Sequence, residues 1–147
     1  MTDRSLRISD VTALLARIVV GATFVAHGLD KAADLEGTAG FFGSVGIPFP
    51  EYSALLGTGV EIIGGALLIL GLVLPAAGPV LAAQMAVAIA TVHAGQPLVG
   101  GYELPLVLGA AALALGFAGG RFALDRLLPW GRTRTRPDAE AAPAGNS

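Results

Sequence analysis

Four long apolar runs, residues 11–29, 53–73, 76–92 and 104–118, leave this chain few ways to fold. Together they hold just two residues of the Asp, Glu, Lys and Arg set, Arg17 and Glu61. Crossing the roughly 30 Å hydrocarbon core as a helix takes about 20 apolar residues, with a tolerated range of about 17–25. Inside lipid a segment must satisfy its own backbone hydrogen bonds, which makes runs of this kind helices. The first two runs fit that length and the third sits at its short limit. The fourth falls below it unless it takes in Gly119 and Gly120 or part of the connector before it. Only 14% of the 147 residues are charged, against about a quarter in soluble domains, which agrees with lipid as the solvent. The expected fold is all-α: a transmembrane four-helix bundle over residues 11–128, preceded by a short segment 1–10. The tail, 129–147, is rich in Ala, Pro and charge and lacks apolar periodicity, so it is expected to be disordered.

Basic residues set the direction of insertion. Of nine, Lys31 alone falls in a connecting loop; Arg4, Arg7 and Arg17 lie at the N-terminal side, and Arg121, Arg126, Arg132, Arg134 and Arg136 follow the last run. This predicts both termini cytoplasmic, with Arg17 snorkelling to the near edge and Trp130 anchoring the interface. A cleaved signal peptide is the competing reading of the first run. Arg17 within it and the lack of an A-x-A-like site argue against cleavage. Between the second and third runs only Leu74 and Pro75 intervene, which calls for a tight antiparallel hairpin. Residues 30–52 form a longer outer loop between the first two helices. There Leu35, Thr38, Phe42 and Val45 recur at helical spacing. They make either a short amphipathic helix on the outer surface or a loop carrying a few aromatics.

The chain contains no cysteine, which excludes disulfides, thiolate chemistry and Cys-ligated iron–sulfur or metal sites. No basic patch with interleaved aromatics occurs, so no nucleic-acid partner is expected. The expected partners are the bilayer, other proteins of a membrane complex and further copies of the chain.

Helices associate in lipid through small residues that let backbones approach. Gly57, Glu61, Gly64, Leu68 and Gly71 share one face of the second run, and Arg17, Gly21, Phe24 and Gly28 share one face of the first. Glu61 therefore turns toward other helices, eight residues beyond Ser53, a depth of about 12 Å. In the assigned topology His27 and His93 end the first and third helices at the outer surface. Tyr102 and Glu103 begin the fourth there, and Lys31 follows His27 by one turn. His27, Lys31, Glu61, His93, Tyr102 and Glu103 are thus the candidate ligand- or proton-binding residues. Gly100 and Gly101 free the connector's backbone, and Glu103 at a helix start is expected to be delivered toward His93. The plainer readings are histidines resting among headgroups, Glu103 as a helix-start residue, and Glu61 paired with Arg17, His27 or His93. Arg121 and Asp125, spaced i,i+4, read as a structural ion pair at the membrane edge. His27, Glu61, His93 and Glu103 are ligand types that suit zinc or iron. No short i,i+3 or i,i+4 ligand pair occurs among them, and no metal is favoured.

Several of these residues recur in an ordered set. Arg17, His27-Gly28-x-x-Lys31, Gly46-Ile47-Pro48, Glu61 with Gly64-Gly65, His93, Gly100-Gly101-Tyr102-Glu103-Leu104 and Gly120-Arg121-Phe122-Ala123-Leu124-Asp125 together resemble the DoxX family. The likeness spans about residues 14–126. Two departures are Ala32-Ala33, where an apolar turn with an aromatic is usual, and Ala123 in place of serine. The resemblance implies a four-helix inner-membrane protein related to the small quinone-linked subunit of a thiosulfate-oxidising enzyme. It also implies a place in oxidative-stress or sulfur metabolism within membrane complexes. It assigns no catalytic residues. Two functional classes stay open: a redox-linked subunit that binds a quinone and takes its electron path from a partner, and a non-catalytic membrane scaffold or assembly protein. Transport is disfavoured, because no broken-helix repeat is evident.

Overall fold

The computed structural model describes residues 3–118 and 122–127, and among them every regular element is helical. In chain order these are α1 (Asp3–Ala33), α2 (Leu35–Ser44), α3 (Pro50–Leu70), α4 (Leu74–Thr91) and α5 (Glu103–Ala118). A kinked turn at Leu98–Tyr102 precedes α5, and a 3₁₀ turn at Leu124–Leu127 follows it. Four stretches are long and apolar enough to cross a membrane: Ile8–Ala33, Pro50–Leu70, Leu74–Thr91 and Leu98–Phe117. The fourth reaches 20 residues by taking in the connector before it. The expected tail, residues 129–147, lies outside the described residues, as does Trp130.

Two antiparallel pairs make the bundle, α1 against α3 and α4 against α5. Glycine permits the first approach. A Cβ on Gly21 would fall 2.6 Å from the Gly65 carbonyl oxygen, and one on Gly65 would fall 2.7 Å from the Gly21 oxygen. About two turns further along α1, Gly28 packs on Ile62 and Glu61. In the second pair Gly78 meets Ala112 and Gly116 in the same way. Between the pairs lies an apolar core that includes Phe24, Leu68, Leu81, Met85 and Leu108. The buried face of α3, Ala54, Thr58, Glu61, Gly64, Gly65 and Leu68, agrees with the face read from the sequence.

Helix boundaries differ from the expected ones at two places that matter for the site. The first helix does not stop at Leu29 but continues to Ala33, so Asp30 and Lys31 are helical. The hairpin residues are Gly71, Leu72 and Val73; Leu74 and Pro75 instead open α4. Proline suits a first helical position, where its missing N–H costs nothing, and the glycine supplies the left-handed C-terminal residue. Gly71 has φ 71°, and the Leu72 N–H reaches back to the Leu67 carbonyl to close α3. Of the two readings of residues 30–52, the helical one holds: α2 packs against α3. Its N-terminus is capped by the Asp34 carboxylate, which accepts from the Gly37 N–H at 2.8 Å.

Arg17 does not snorkel. Its side chain is 1% exposed, because α1 begins at Asp3 and the α3–α4 turn closes over it. A Cβ on Gly71 would collide with its Nη1 and with Ala123. Asp125 is the acid whose field Arg17 feels. That carboxylate also caps α4 from across the chain, accepting from the Val73 and Leu74 N–H groups at 2.7 and 2.8 Å. Val73 sits at φ 52°, a conformation costly for a β-branched residue, and this cap helps hold it there. The expected partner of Asp125, Arg121, lies outside the described residues.

Candidate functional site

Toward the C-terminal end of α1, well beyond Arg17 at its middle, the bundle holds a partly open cavity of about 840 Å³. All of the long helices contribute to its wall. Phe24, His27 and Lys31 come from α1, Gly57, Val60 and Glu61 from α3, and Gln84, Met85 and Ala88 from α4. His93 enters just past α4, Leu104, Pro105 and Leu108 from α5, and Thr38, Phe41 and Phe42 from α2. The lining is largely apolar with a few polar groups, the usual character of a small-molecule site, and the volume lies in the ~300–1,000 Å³ range of such sites.

Its polar centre is built from three helices. Glu61 is 2% exposed, held by the α1–α3 glycine contact one turn away. The ammonium of Lys31 donates to Glu61 Oε1 at 2.5 Å. Lys31 can do so because α1 continues through it, which places it one turn beyond His27 on the same face. Gln84 Nε2 donates to the same Oε1 and to the Gly57 carbonyl, both at 3.1 Å. The partner of Glu61 is therefore neither Arg17 nor a histidine. Arg17 lies at the middle of α1, beside Gly71 and about four turns before Lys31, and both imidazoles stand around the cavity without reaching the carboxylate. Glu61 Oε2, Gln84 Oε1 and Thr58 Oγ1 are buried and have no hydrogen-bond partner among the described residues. Each such unmet group costs on the order of 1–3 kcal/mol, and a charged one more.

Of the six candidates, His27, Lys31, Glu61 and His93 share this cavity wall; Tyr102 and Glu103 stand outside it. The kink at Leu98–Tyr102, with Gly100 at φ 76°, leaves Glu103 exposed at the start of α5 rather than turned toward His93. His93 instead pairs with the neighbouring Gln96, Nδ1 to Oε1 at 2.9 Å. Leu104 and Pro105 take the wall position expected for the carboxylate. Among the described residues no three His, Cys, Asp or Glu side chains gather as a metal-ligand set, so His27, Glu61, His93 and Glu103 do not form one. The sequence reading passed over Gln84, although it was visible as the one amide in the apolar run 76–92. It also passed over Asp30 and Asp34, which line the cavity beside Lys31.

Chemically, the arrangement offers a buried carboxylate balanced by an ammonium, an amide fixed between two acceptors, and two imidazoles. It can hold a ring-sized ligand in apolar surroundings and exchange protons with it.

The residues that build this cavity fall mostly within one matched stretch. The family model DoxX matches residues 12–94, from the first third of α1 to just past His93. A Bacillus subtilis (strain 168) protein named "Putative oxidoreductase CatD" is 37% identical over 117 residues, covering 79% of this chain and 86% of that protein. No solved structure matches the chain. The four membrane-length helices, the match over α1 to α4 and this relative lead to one assignment: the chain belongs to the DoxX family of multi-pass membrane proteins.

Proposed function

We propose that this protein is a subunit of a redox-linked complex in a bacterial inner membrane and that its cavity holds a quinone headgroup. The observation that carries this reading is that both imidazoles of the chain line the same apolar cavity as the buried Lys31–Glu61–Gln84 cluster. The wall fits such a group. Apolar residues of α3, α4 and α5 suit a ring and its tail, and the orphaned polar atoms of Glu61 and Gln84 answer to oxygen substituents. A quinone headgroup, when bound, carries two electrons and two protons between its reduced and oxidised forms. His27 and His93 orient the ring, Glu61 takes up a proton released by the reduced form, and the apolar wall excludes water. Without cysteine, the electron path belongs to a cofactor of a partner protein. The oxidoreductase name of the Bacillus subtilis relative supports the redox assignment.

Binding of a short-tailed quinone analogue in its reduced form to the purified protein is the direct test. Glu61→Gln and His93→Ala are each expected to weaken it tenfold or more, about 1.4 kcal/mol. Equal affinity in wild type and both variants would remove this reading. If both variants also rescue a deletion strain at normal expression, the scaffold role takes its place.

The basic residues support an orientation with both termini cytoplasmic, which puts the cavity toward the outer surface. Because the chain lacks cysteine, single substitutions report cleanly. Gly40→Cys, at an open position on α2, should react with a membrane-impermeant maleimide on intact cells, and Ser9→Cys should react only after lysis. The reverse pattern would invert the topology.

A further inference from the structure

The unmet hydrogen-bonding capacity of the cavity is mostly of one kind. Glu61 Oε1 receives both Lys31 and Gln84, and Oε2 of the same carboxylate has no donor among the described residues. Gln84 Nε2 faces two acceptors, the Gly57 carbonyl and Glu61 Oε1, so the orientation of its amide is set and its Oε1 is left as a buried acceptor. At His93 the ring partner is Gln96 Oε1, while Gln96 Nε2 points to the Val92 carbonyl at 3.4 Å. A carbonyl oxygen only accepts, so His93 Nδ1 donates to it. Two buried acceptors without a donor among the described residues thus belong to wall residues. Thr58 Oγ1 is a further buried orphan, on α3 but outside the cavity lining. On the donor side, Lys31 keeps N–H groups beyond the one on Glu61, and His27 supplies a ring N–H. Charge adds a second constraint: Asp30, Asp34 and Glu61 line the cavity against Lys31 alone, a balance that repels anions.

We infer that the cavity selects a neutral aromatic ligand bearing hydroxyl groups, so that the reduced dihydroxy form of a quinone-type headgroup binds in preference to the oxidised dicarbonyl form. This rests on the cavity taking such a headgroup at all. Hydroxyls donate to Glu61 Oε2 and Gln84 Oε1. A carbonyl oxygen in the same places sets lone pair against lone pair and leaves the buried acceptors unmet. A carbonyl can still be met at the Lys31 and His27 side, so the preference is one of degree. The protein is then a reader of the reduced pool: it is loaded when the membrane's carriers are reduced.

The test is anaerobic calorimetric titration of the full-length protein in nanodiscs with a short-tailed para-hydroquinone, its quinone, and a sulfonated anionic hydroquinone. The neutral hydroquinone is expected to bind at least tenfold more tightly than either of the others. Glu61→Gln replaces an acceptor oxygen with a donor and is expected to cut that preference tenfold, mainly by weakening the reduced form. Gln84→Met, which keeps the charge pair, is expected to lower it in the same direction and serves if Glu61→Gln does not fold. Equal affinity for the two redox forms, or tighter quinone binding, overturns the selectivity while leaving the cavity as a headgroup site. Tight binding of the sulfonated form overturns the neutrality argument. Failure of both neutral forms to bind removes the headgroup site itself and the selectivity with it.

Discussion

Gly65→Leu is expected to drive α1 and α3 apart and to cost about 3 kcal/mol or more, at or above the upper end of overpacking penalties. Even a single carbon is too much at this point, since a Cβ on Gly65 would lie 2.7 Å from the Gly21 carbonyl oxygen and 3.0 Å from Phe24 and Val25. Backbone cannot yield as a side chain end can, so the helix axes must separate. Gly65→Ala is therefore expected to destabilise by about 1–3 kcal/mol, although alanine is the better helix former. Gly59, on the same helix, has open space where its Cβ would be. Gly59→Ala should gain up to about 1 kcal/mol from propensity alone. Thermal unfolding of the three variants in one detergent separates packing from propensity. Similar midpoints for Gly59→Ala and Gly65→Ala would mean that α1 and α3 are not in backbone contact. The same contact positions the site, because Lys31 lies one turn beyond Gly28 on α1, and Glu61 one turn before Gly65 on α3. Ligand binding should therefore fail with Gly65→Leu.

Lys31→Met is expected to destabilise the protein by about 2–3 kcal/mol, and Lys31→Met with Glu61→Leu to recover most of the loss. Removing one partner of a fully buried ion pair costs about 3–5 kcal/mol, because the other charge stays in a low-dielectric interior. The smaller figure follows from exposure: Glu61 is 2% exposed but Lys31 is 28% exposed, so polar surroundings screen part of the interaction. With the carboxylate alone, Gln84 is its sole remaining side-chain donor among the described residues. Removing both charges leaves an apolar patch that the surrounding leucines and valines tolerate. A double-mutant cycle on unfolding free energies measures the coupling. Losses that simply add, with the double variant the least stable, would show that the pair is not coupled across α1 and α3.

How far the site could be read in advance is clear at Glu61. Its place in an apolar run, with glycines at the following turn, already required it to face the bundle. Its partner was another matter. Apolar character ends at Leu29, yet the hydrogen bonds of α1 continue to Ala33, and those four residues move Lys31 from a loop into reach of α3. Helix ends depend on caps and on what the next segment packs against, and hydropathy does not register either. Gln84 was visible as a lone amide, but its use depends on the depth at which α4 meets α3. The shift of the hairpin from Leu74-Pro75 to Gly71–Val73 reset that register. Glu103 shows the converse error: its position at a helix start was legible, and the kink at Leu98–Tyr102 then left it outside the cavity.

By itself the sequence determined the solvent, the number of spanning helices and the faces by which they pair, because apolar length and residue periodicity are local quantities that lipid reads directly. The family likeness was legible for the same reason, as an ordered string of residues. Only the tertiary structure decided that His27, Lys31, Glu61, Gln84 and His93 share one cavity, that Tyr102 and Glu103 do not, and that Asp125 caps a helix from across the chain. Those outcomes turn on distances between elements far apart in sequence, which are set by glycine-to-backbone contacts and helix ends and so exist only once the helices are packed.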